Sequence, residues 1–471
     1  MEAKIYFGSQ SVSGAKLSER LSPFDGRLVS IAPVCSADDT RKALKIAQGA
    51  RKAAKSSTIS QRCSWLQDVA QKMRENKEDL ARTITDEVGK PLMFSRIEVE
   101  RAIETVTLSA ETMRTMHGET INTDAMASGK KTMAYFFREP VGVVAAITPF
   151  NFPLNLVAHK LAPALVSGNT VVLKPTPEAP LTAYKFAKLF IESEYAVKDA
   201  LSLVYGDVEV GSTLVGSDIP RVISFTGSVP VGEIITRSAG IKKISLELGG
   251  NAASYIDASA DIALAAQRCT LGAFVNSGQV CISLQRIYVH EAVYEEFAAK
   301  MAEETLKLNV GSPYEDETFM GPVIDDEAAK RAMGWVRSAI AEGARALFEP
   351  RCEGRMFYPC VMADVRDDMA IVCEEVFAPI VSLVKVNDFD DAMPRMNNSP
   401  YGLQFSLFTN DLKLAQRAIS ELDAGGIVIN DMPTLRFDIQ PYGGVKLSGV
   451  GREGPRFAIE EFTEIKSVVI C

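Results

Sequence analysis

Several signatures that decide a function at a glance are missing from this sequence. Its eight cysteines, at 35, 63, 269, 281, 352, 360, 373 and 471, include no C-x-x-C pair, so neither a zinc ribbon nor a thioredoxin-type motif is indicated and no metal site is expected. In a chain this long and this apolar a disulfide framework is not expected either, and the thiols are read as reduced. No window offers 18 uninterrupted apolar residues, and the start MEAKIYFGSQS has neither the basic opening nor the apolar segment of a signal peptide. That reading excludes a membrane span and points to the cytoplasm. No run of five like charges occurs and the net charge is −9, which disfavours nucleic acid and anionic membrane as partners. A small-molecule substrate is the better expectation.

The chain has 471 residues, 47% of them hydrophobic and 24% charged. That is the balance of a globular protein with room for two or three domains. Apolar positions between 37 and 117 recur at three and four, predicting amphipathic packing helices. From 141 the pattern changes to apolar runs alternating with helices: VGVVAAIT, NTVVLK, LSLVYG, RVISFTG and KKISLEL are separated by helical stretches such as PLNLVAHKLAPALVS and PLTAYKFAKLFIE. Strands too apolar to have a wet face predict a doubly wound parallel sheet of the nucleotide-binding type. After 250 the alternation resumes, with a helix from 259, a strand near QRIYVH, helices near 293–307 and 325–342, then APIVSLVKV, LQFSLFT and GGIVIN. A second α/β domain is the economical reading. TMAYFFREP (132–140) and IKSVVI near the C-terminus are strands outside this alternation, each with a hydrophobic edge that needs a partner.

Ligands of a doubly wound sheet sit beyond the C-terminal ends of its strands. The residues found there are TPFNFP (148–153), KPTPEAP (174–180), FTGSVPVG (225–232) and ELGGN (247–251). None of these turns carries G-x-G-x-x-G, but FTGSVPVG is a glycine turn feeding a helix, whose free N–H groups and dipole suit a pyrophosphate. Lys174 at a strand end either bonds ribose or phosphate oxygens or is a solvated loop charge. Glu247, ending an apolar strand before two glycines, is either a general base with a raised pKa or a glutamate that caps a helix or pairs with a lysine. Asn151 either donates to a developing oxyanion or makes a turn. Cys281, in NSGQVCIS after a helical run, is either a buried apolar residue or a nucleophile.

A thiol, an amide donor, a carboxylate and a nucleotide-type sheet form one constellation, and at this point the chain resembles the aldehyde dehydrogenase superfamily. ITPFNFP, VVLKPTPEAPLT, FTGS, LELGGN, NSGQVCIS and EEVFAPI carry the resemblance in order, and it runs from SPFDGRLVS to GGVKLSGVGREG. It implies an α/β fold with a cofactor domain (1–123 and 142–249), a catalytic domain (250–446) and a small β oligomerisation element (124–141 and 447–471). It also implies a homodimer or homotetramer. By the same resemblance Cys281 is the nucleophile, Glu247 the base for deacylation, and Asn151 with the Cys281 N–H the oxyanion hole. The cofactor, NAD or NADP with NAD slightly favoured, is expected against Thr148, Pro149 and Phe150; Lys174, Thr176 and Pro177; Gly206; Phe225, Thr226, Gly227 and Ser228; Leu248 and Gly249; and Glu375 and Phe377. Pro177 stands where many NAD-using members have a glutamate that chelates the ribose, which leaves the choice of cofactor open.

Asn155, His159 and Arg436, with Arg101, are the expected substrate-binding residues, and they make the expected aldehyde small and hydroxylated or anionic. A lactaldehyde-like substrate leads. Glyceraldehyde 3-phosphate, phosphonoacetaldehyde and succinic semialdehyde are the alternatives, and Val280 before the cysteine weakens a phosphorylated substrate. Arg101 stands on an amphipathic helix, where an arginine usually only meets solvent. Two rivals stand against this reading. Acylation of coenzyme A is disfavoured by the presence of Glu247, and a noncatalytic structural paralogue by the joint presence of Cys281, Glu247 and Asn151.

Overall fold

The computed structural model describes residues 2–471. Four helices follow the N-terminal strand β1 (Ile5–Phe7): α1 (Ala37–Ser56), α2 (Ile59–Glu75), α3 (Lys77–Val88) and α4 (Leu92–Thr115). α1 begins at a capping box, in which Ser36 and Asp39 satisfy each other's backbone N–H, as the S-x-x-D start SADD (36–39) favours. The strand β2 (Met133–Pro140) then leads into the alternating region: β3 (Val143–Ile147), α5 (Asn155–Val166), β4 (Thr170–Lys174), α6 (Pro180–Ile191), β5 (Leu201–Leu203), α7 (Val208–Gly216), β6 (Val222–Thr226), α8 (Val229–Ser238) and β7 (Lys243–Glu247). β3, β4, β5 and β6 are buried along their whole length, so helices cover both faces and the strands read as continuous apolar runs.

The order across the sheet is Gln10–Val12, β1, β5, β4, β3, β6, β7 and Gly449–Val450, with the five central strands parallel. The chain winds outward from β3 through β5, then returns to β6 on the other side. A crevice therefore opens between the C-terminal ends of β3 and β6, where two loops part in opposite directions.

The second sheet comes from β8 (Ala252–Ile256), α9 (Ile262–Phe274), β9 (Leu284–His290), α10 (Tyr294–Leu306), α11 (Asp326–Ala341), β10 (Cys360–Ala363), β11 (Ile380–Val386), β12 (Gln404–Phe408) and β13 (Gly426–Ile429). Its order is Arg345–Ala346, β10, β11, β9, β8, β12, β13, and all but the first pairing are parallel. The strand β8 has no counterpart in the sequence reading, which runs from LGGN to a helix at 259; that helix starts at Ile262. AASYI is five buried residues with no alternation, and periodicity cannot identify so short a run. Because β8 starts five residues after β7 ends, the N-terminal edge of the second sheet lies against the C-terminal edge of the first.

Finally, β14 (Gly449–Val450) pairs antiparallel with the end of β7, and β15 (Thr463–Ile470) pairs with β2 over eight residues. Gly449–Val450, inside the 447–471 segment expected to belong wholly to the oligomerisation element, thus joins the first sheet. The two strands expected to seek partners find each other, and Glu119–Thr120 joins β2 as a third strand. Ile465, Val469 and Ile470 on β15 remain more than half exposed. Among the described residues no helix is long and apolar enough to cross a membrane.

Candidate active site

The seam between the two sheets gathers the chemistry-bearing residues. After α9 the chain passes through Asn276, Ser277 and Gly278 with φ of 52°, 56° and 70°, three consecutive left-handed residues. Two of them are not glycine, and each such residue costs on the order of 1–3 kcal/mol. The turn is over-determined by its bonds: Ser277 Oγ donates to Gly321 O (2.8 Å), Asn276 Nδ2 to Asn151 O (3.3 Å), and Gln279 Oε1 accepts from Ile324 N (2.9 Å). A Cβ at Gly278 would lie 2.2 Å from Ala378 O, so only glycine fits. This turn delivers Cys281, partly buried, to the seam. Gly250 packs on it from the other side, where a Cβ would stand 2.2 Å from the Cys281 carbonyl oxygen.

Asn151 is held from two directions. Its Nδ2 donates to Gln279 O at 3.1 Å, while its Oδ1 is buried without a partner. Behind it, Glu98 Oε1 accepts from the Leu154 and Asn155 N–H groups at 2.9 and 3.1 Å, and Glu98 pairs with the buried Lys90. The Lys90 ammonium lies 3.8 Å over the Phe152 ring, so a buried ion pair clamps the FNFPLN turn at the start of α5.

Glu247, at the end of β7, is 3% exposed, and neither carboxylate oxygen has a partner. Burial first, and the nearby Glu453 second, lift its pKa well above the ordinary carboxylate range; Arg436, Lys160 and Arg452 oppose the shift. Glu453 behaves oppositely. Burial would raise it, but Lys160, His159 and Arg436 hold it down to about 2, so of two neighbouring carboxylates one stays charged and one is driven toward neutrality. Cys281 Sγ lies 3.0 Å from the Tyr442 hydroxyl. Burial pushes the thiol up to about 11, against the Tyr442 hydrogen bond and the Arg436 charge.

Cys281, Glu247, Thr226, Tyr442, Arg436 and Arg101 line a cavity of about 50 Å³. Outside it a wider depression of about 600 Å³ shares Arg101 and Arg436 and adds Asp438, Arg74, Phe437 and Ile439. The four residues expected to contact substrate converge on Asp438. Arg101 donates to it twice (2.9 and 2.8 Å), Asn155 once (3.2 Å) and His159 Nε2 once (2.9 Å), with Arg436 at 3.9 Å. Burial opposes its ionisation, yet the His159 and Arg101 bonds outweigh it and hold Asp438 far below the usual range. Burial and Arg436 keep His159 below its ordinary pKa. A neutral ring donating from Nε2 to Asp438 cannot also accept there from Arg436, so the 3.2 Å approach of the guanidinium is a contact and not a second hydrogen bond. His159 lies behind the cavity wall, not on it. Arg101 does not simply meet solvent; it forms part of the lining.

Asp438, Tyr442, Glu453 and Thr434 are site residues that the sequence reading did not single out. Thr434, Asp438 and Tyr442 stand with Arg436 in PTLRFDIQPYGG (433–444), but spacing carries no sign that a carboxylate would organise four other side chains.

The residues expected to meet a dinucleotide gather at the C-terminal ends of β3, β4 and β6. Ser228 begins α8 without capping it by its own side chain, so the first N–H groups and the positive dipole end stay available. Thr148 Oγ1 and Thr226 Oγ1 are buried without partners. Lys174 is buried at the end of β4, bonded only weakly to Pro175 O at 3.4 Å; burial lowers its pKa, with Asp207 and Glu178 opposing. Thr176 bonds Glu178, Pro177 is exposed, and Gly206 turns at φ 141° after β5. Glycine at 227 lies against the Phe225 ring, and Gly232 admits Leu248, each where a Cβ would come within 2.6 Å. Glu375 Oε1 accepts from Gly250 N at 3.0 Å, and burial raises this carboxyl to about 7. Phe377, at φ 48°, meets Phe150 edge-on at 5.9 Å, and Pro149 sits between Thr148 and Phe150 at the lip. Among the described residues no cluster of three or more His, Cys, Asp or Glu is arranged to hold a metal ion.

Known proteins resemble this chain over nearly its whole length. The chain is 41% identical over 469 residues to the 3-sulfolactaldehyde dehydrogenase of Priestia aryabhattai, covering 99% of this chain and 97% of that protein. It is 38% identical to the lactaldehyde dehydrogenase of Methanococcus aeolicus, covering 95% and 96%. The NADP-dependent glyceraldehyde-3-phosphate dehydrogenase from Bacillus halodurans, solved with NADP, superposes with a TM-score of 0.98 at 32% identity, covering 100% of this chain and 99% of that one. The description "Aldehyde dehydrogenase family" matches residues 10–468. Matched to that family over nearly its whole length, and to its dehydrogenases in sequence and in fold, the chain belongs to the aldehyde dehydrogenase family of NAD(P)-dependent oxidoreductases.

Proposed function

We propose that this enzyme oxidises a small hydroxylated or anionic aldehyde to its acid through a covalent Cys281 intermediate. The observation that carries the reading is the concentration of unsatisfied polar groups at one place. Most of the buried side-chain atoms without a partner belong to the crevice and the cavity beside Cys281, among them Thr148 Oγ1, Asn151 Oδ1, Thr226 Oγ1, both Glu247 oxygens, Thr434 Oγ1 and Arg436 Nε. Native proteins leave few such atoms, and a ligand is what completes them.

In this reading Cys281 adds to the aldehyde carbon, and the tetrahedral thiohemiacetal turns its oxyanion toward the Asn151 amide and the Cys281 N–H. Such a donor contributes roughly 3–4 kcal/mol in comparable sites. The bound nicotinamide supplies the hydride acceptor. Lys174 binds the ribose, the α8 N-terminus with Gly227 and Ser228 the pyrophosphate, and Glu375 with Phe377 orients the ring end. Glu247, whose pKa burial raises, takes the proton of the water that cleaves the thioester. Glu453, held charged by Lys160 and Arg436, keeps that carboxylate titratable.

Arg101 and Arg436 Nε give the cavity two cationic donors, and Asp438 fixes their positions. Together they suit a substrate bearing a hydroxyl or an anionic group near the aldehyde, as the names of the sulfolactaldehyde and lactaldehyde relatives suggest. At position 177 a proline supplies no carboxylate of its own against a 2′-phosphate, which leaves NADP as well as NAD open to this site. The open β15 edge joins copies of this chain into dimers or tetramers, which light scattering on an eluting column checks.

The test follows absorbance of reduced cofactor with lactaldehyde, sulfolactaldehyde, glyceraldehyde 3-phosphate, succinic semialdehyde and plain alkanals, each with NAD and NADP. The small hydroxylated or anionic aldehydes are expected to lead in kcat/KM, and Cys281→Ser to be inactive. A preference for long alkanals refutes the substrate class; an active serine variant refutes the mechanism.

A further inference from the structure

Tyr442 has no part in the chemistry assigned above, yet its hydroxyl makes the only side-chain hydrogen bond found for Cys281 Sγ among the described residues, at 3.0 Å. The ring is fixed on every side. Its own N–H donates to Glu453 O at 3.1 Å and its carbonyl accepts from Glu453 N at 2.7 Å, an antiparallel bridge that locks the backbone. The Arg436 guanidinium stacks 3.7 Å from the ring centroid, and Val280, Ile282 and Leu403 complete the packing. At 5% exposure, the phenol has little to bond except the sulfur.

We propose that Tyr442 is a further catalytic residue, whose phenol donates a hydrogen bond to the Cys281 sulfur and so favours the thiolate over the thiol and keeps the nucleophile aimed when the aldehyde arrives. This rests on the nucleophilic role of Cys281 proposed above. The charged and titratable groups facing the sulfur are Tyr442, Arg436, Glu375 and Glu247. After burial, which raises the thiol, Tyr442 is the largest influence drawing it down, followed by Arg436, while the two glutamates push it up. Burial and the neighbouring sulfur hold the phenol protonated well above its ordinary value, so it remains a donor throughout the working range. No proton is transferred in this step: the thiol proton leaves by another route and the tyrosine keeps its own.

Tyr442→Phe retains the ring, the cation contact and the backbone bridge, and removes only the donor. The rate of alkylation by iodoacetamide is measured against pH, with thiolate absorbance as a second probe. The inflection is expected to rise by about one pH unit, roughly a tenfold loss of thiolate at neutral pH. kcat/KM for the aldehyde should fall about tenfold at pH 7, the gap closing as pH passes the wild-type inflection, with the cofactor KM unchanged. An unmoved inflection, or an equal fall at every pH, overturns the proposal. Should that variant fail to fold, 3-fluorotyrosine installed at 442, a more acidic donor, is expected to lower the inflection, and no movement overturns it equally. Cys281→Ser separates the two ideas. Retained turnover there refutes the nucleophile itself, whereas lost turnover with an unmoved Tyr442→Phe inflection refutes only the hydrogen-bond role.

Discussion

Replacing Glu247 by Gln should damage turnover and improve stability at once. Both carboxylate oxygens are buried without partners, so the native state carries a carboxyl that water would otherwise solvate. Its folded pKa is raised by burial and by Glu453. The associated stability is therefore complete below the unfolded value of about 4.3 and declines as pH climbs from there toward the folded pKa. Within that window each pH unit costs up to about 1.4 kcal/mol. Glutamine cannot ionise and escapes the decline. An entropy of unfolding of about 2.1 cal/mol/K per residue makes 1 kcal/mol worth only about 1 °C in a chain of this length. The variant should therefore melt within about 1 °C of the wild type near pH 4.5 and a few degrees above it at pH 8. Loss of the general base should slow steady-state turnover about 10²–10⁴-fold. The hydride step precedes deacylation, so a stopped-flow trace should retain a burst of reduced cofactor close to one per active site. Wild-type turnover in the variant, or a melting difference independent of pH, would refute the reasoning.

Three further outcomes follow from the geometry. Asp438→Ala strips the shared acceptor from Arg101, Asn155 and His159; breaking a buried pair on one side costs about 3–5 kcal/mol, so calorimetry at pH 7 should show Tm lower by roughly 3–5 °C, and a shift under 1 °C contradicts the network. Since its folded pKa lies far below the unfolded one, the stabilisation by Asp438 is present above about pH 4 and disappears only as pH falls further, so the Tm gap should narrow in acid. Gly250→Ala drives a Cβ toward the Cys281 carbonyl oxygen; backbone cannot yield cheaply, and misplacing the nucleophile by about 1 Å should cut kcat about 100-fold, with wild-type kcat disproving the close fit. Pro177→Glu sets a carboxylate beside the expected 2′-phosphate and should shift the ratio of kcat/KM toward NAD by about tenfold, whereas an unchanged ratio places the ribose elsewhere.

Much of this architecture is legible in the chain because burial on both faces leaves a strand no polar positions. VVAAI, TVVLK and VISFT announce themselves as a covered parallel sheet, and the helices between them follow from their three-and-four spacing. Shorter or mixed segments do not. AASYI has no alternation to read, and Phe389–Asn397 carries Pro394 inside a helix. The spacing G-x-G-x-x-G does occur at Gly449–Gly454, yet there it serves an antiparallel pairing with β7 and not a strand-to-helix turn, since a motif acquires meaning only from its neighbours.

The sequence by itself determined which residue types stand at strand ends, and so the thiol, amide and carboxylate available for chemistry. It determined the two-sheet α/β plan as well, because hydrophobic patterning is a local property that each segment carries with it. Only the tertiary structure decided that Arg101, Asn155, His159 and Arg436 share one carboxylate, that Glu247 and Glu453 are pushed in opposite directions, and that a phenol 161 positions away touches Cys281. Contact and dielectric depend on what folding brings within a few ångströms, and no spacing along the chain encodes that distance.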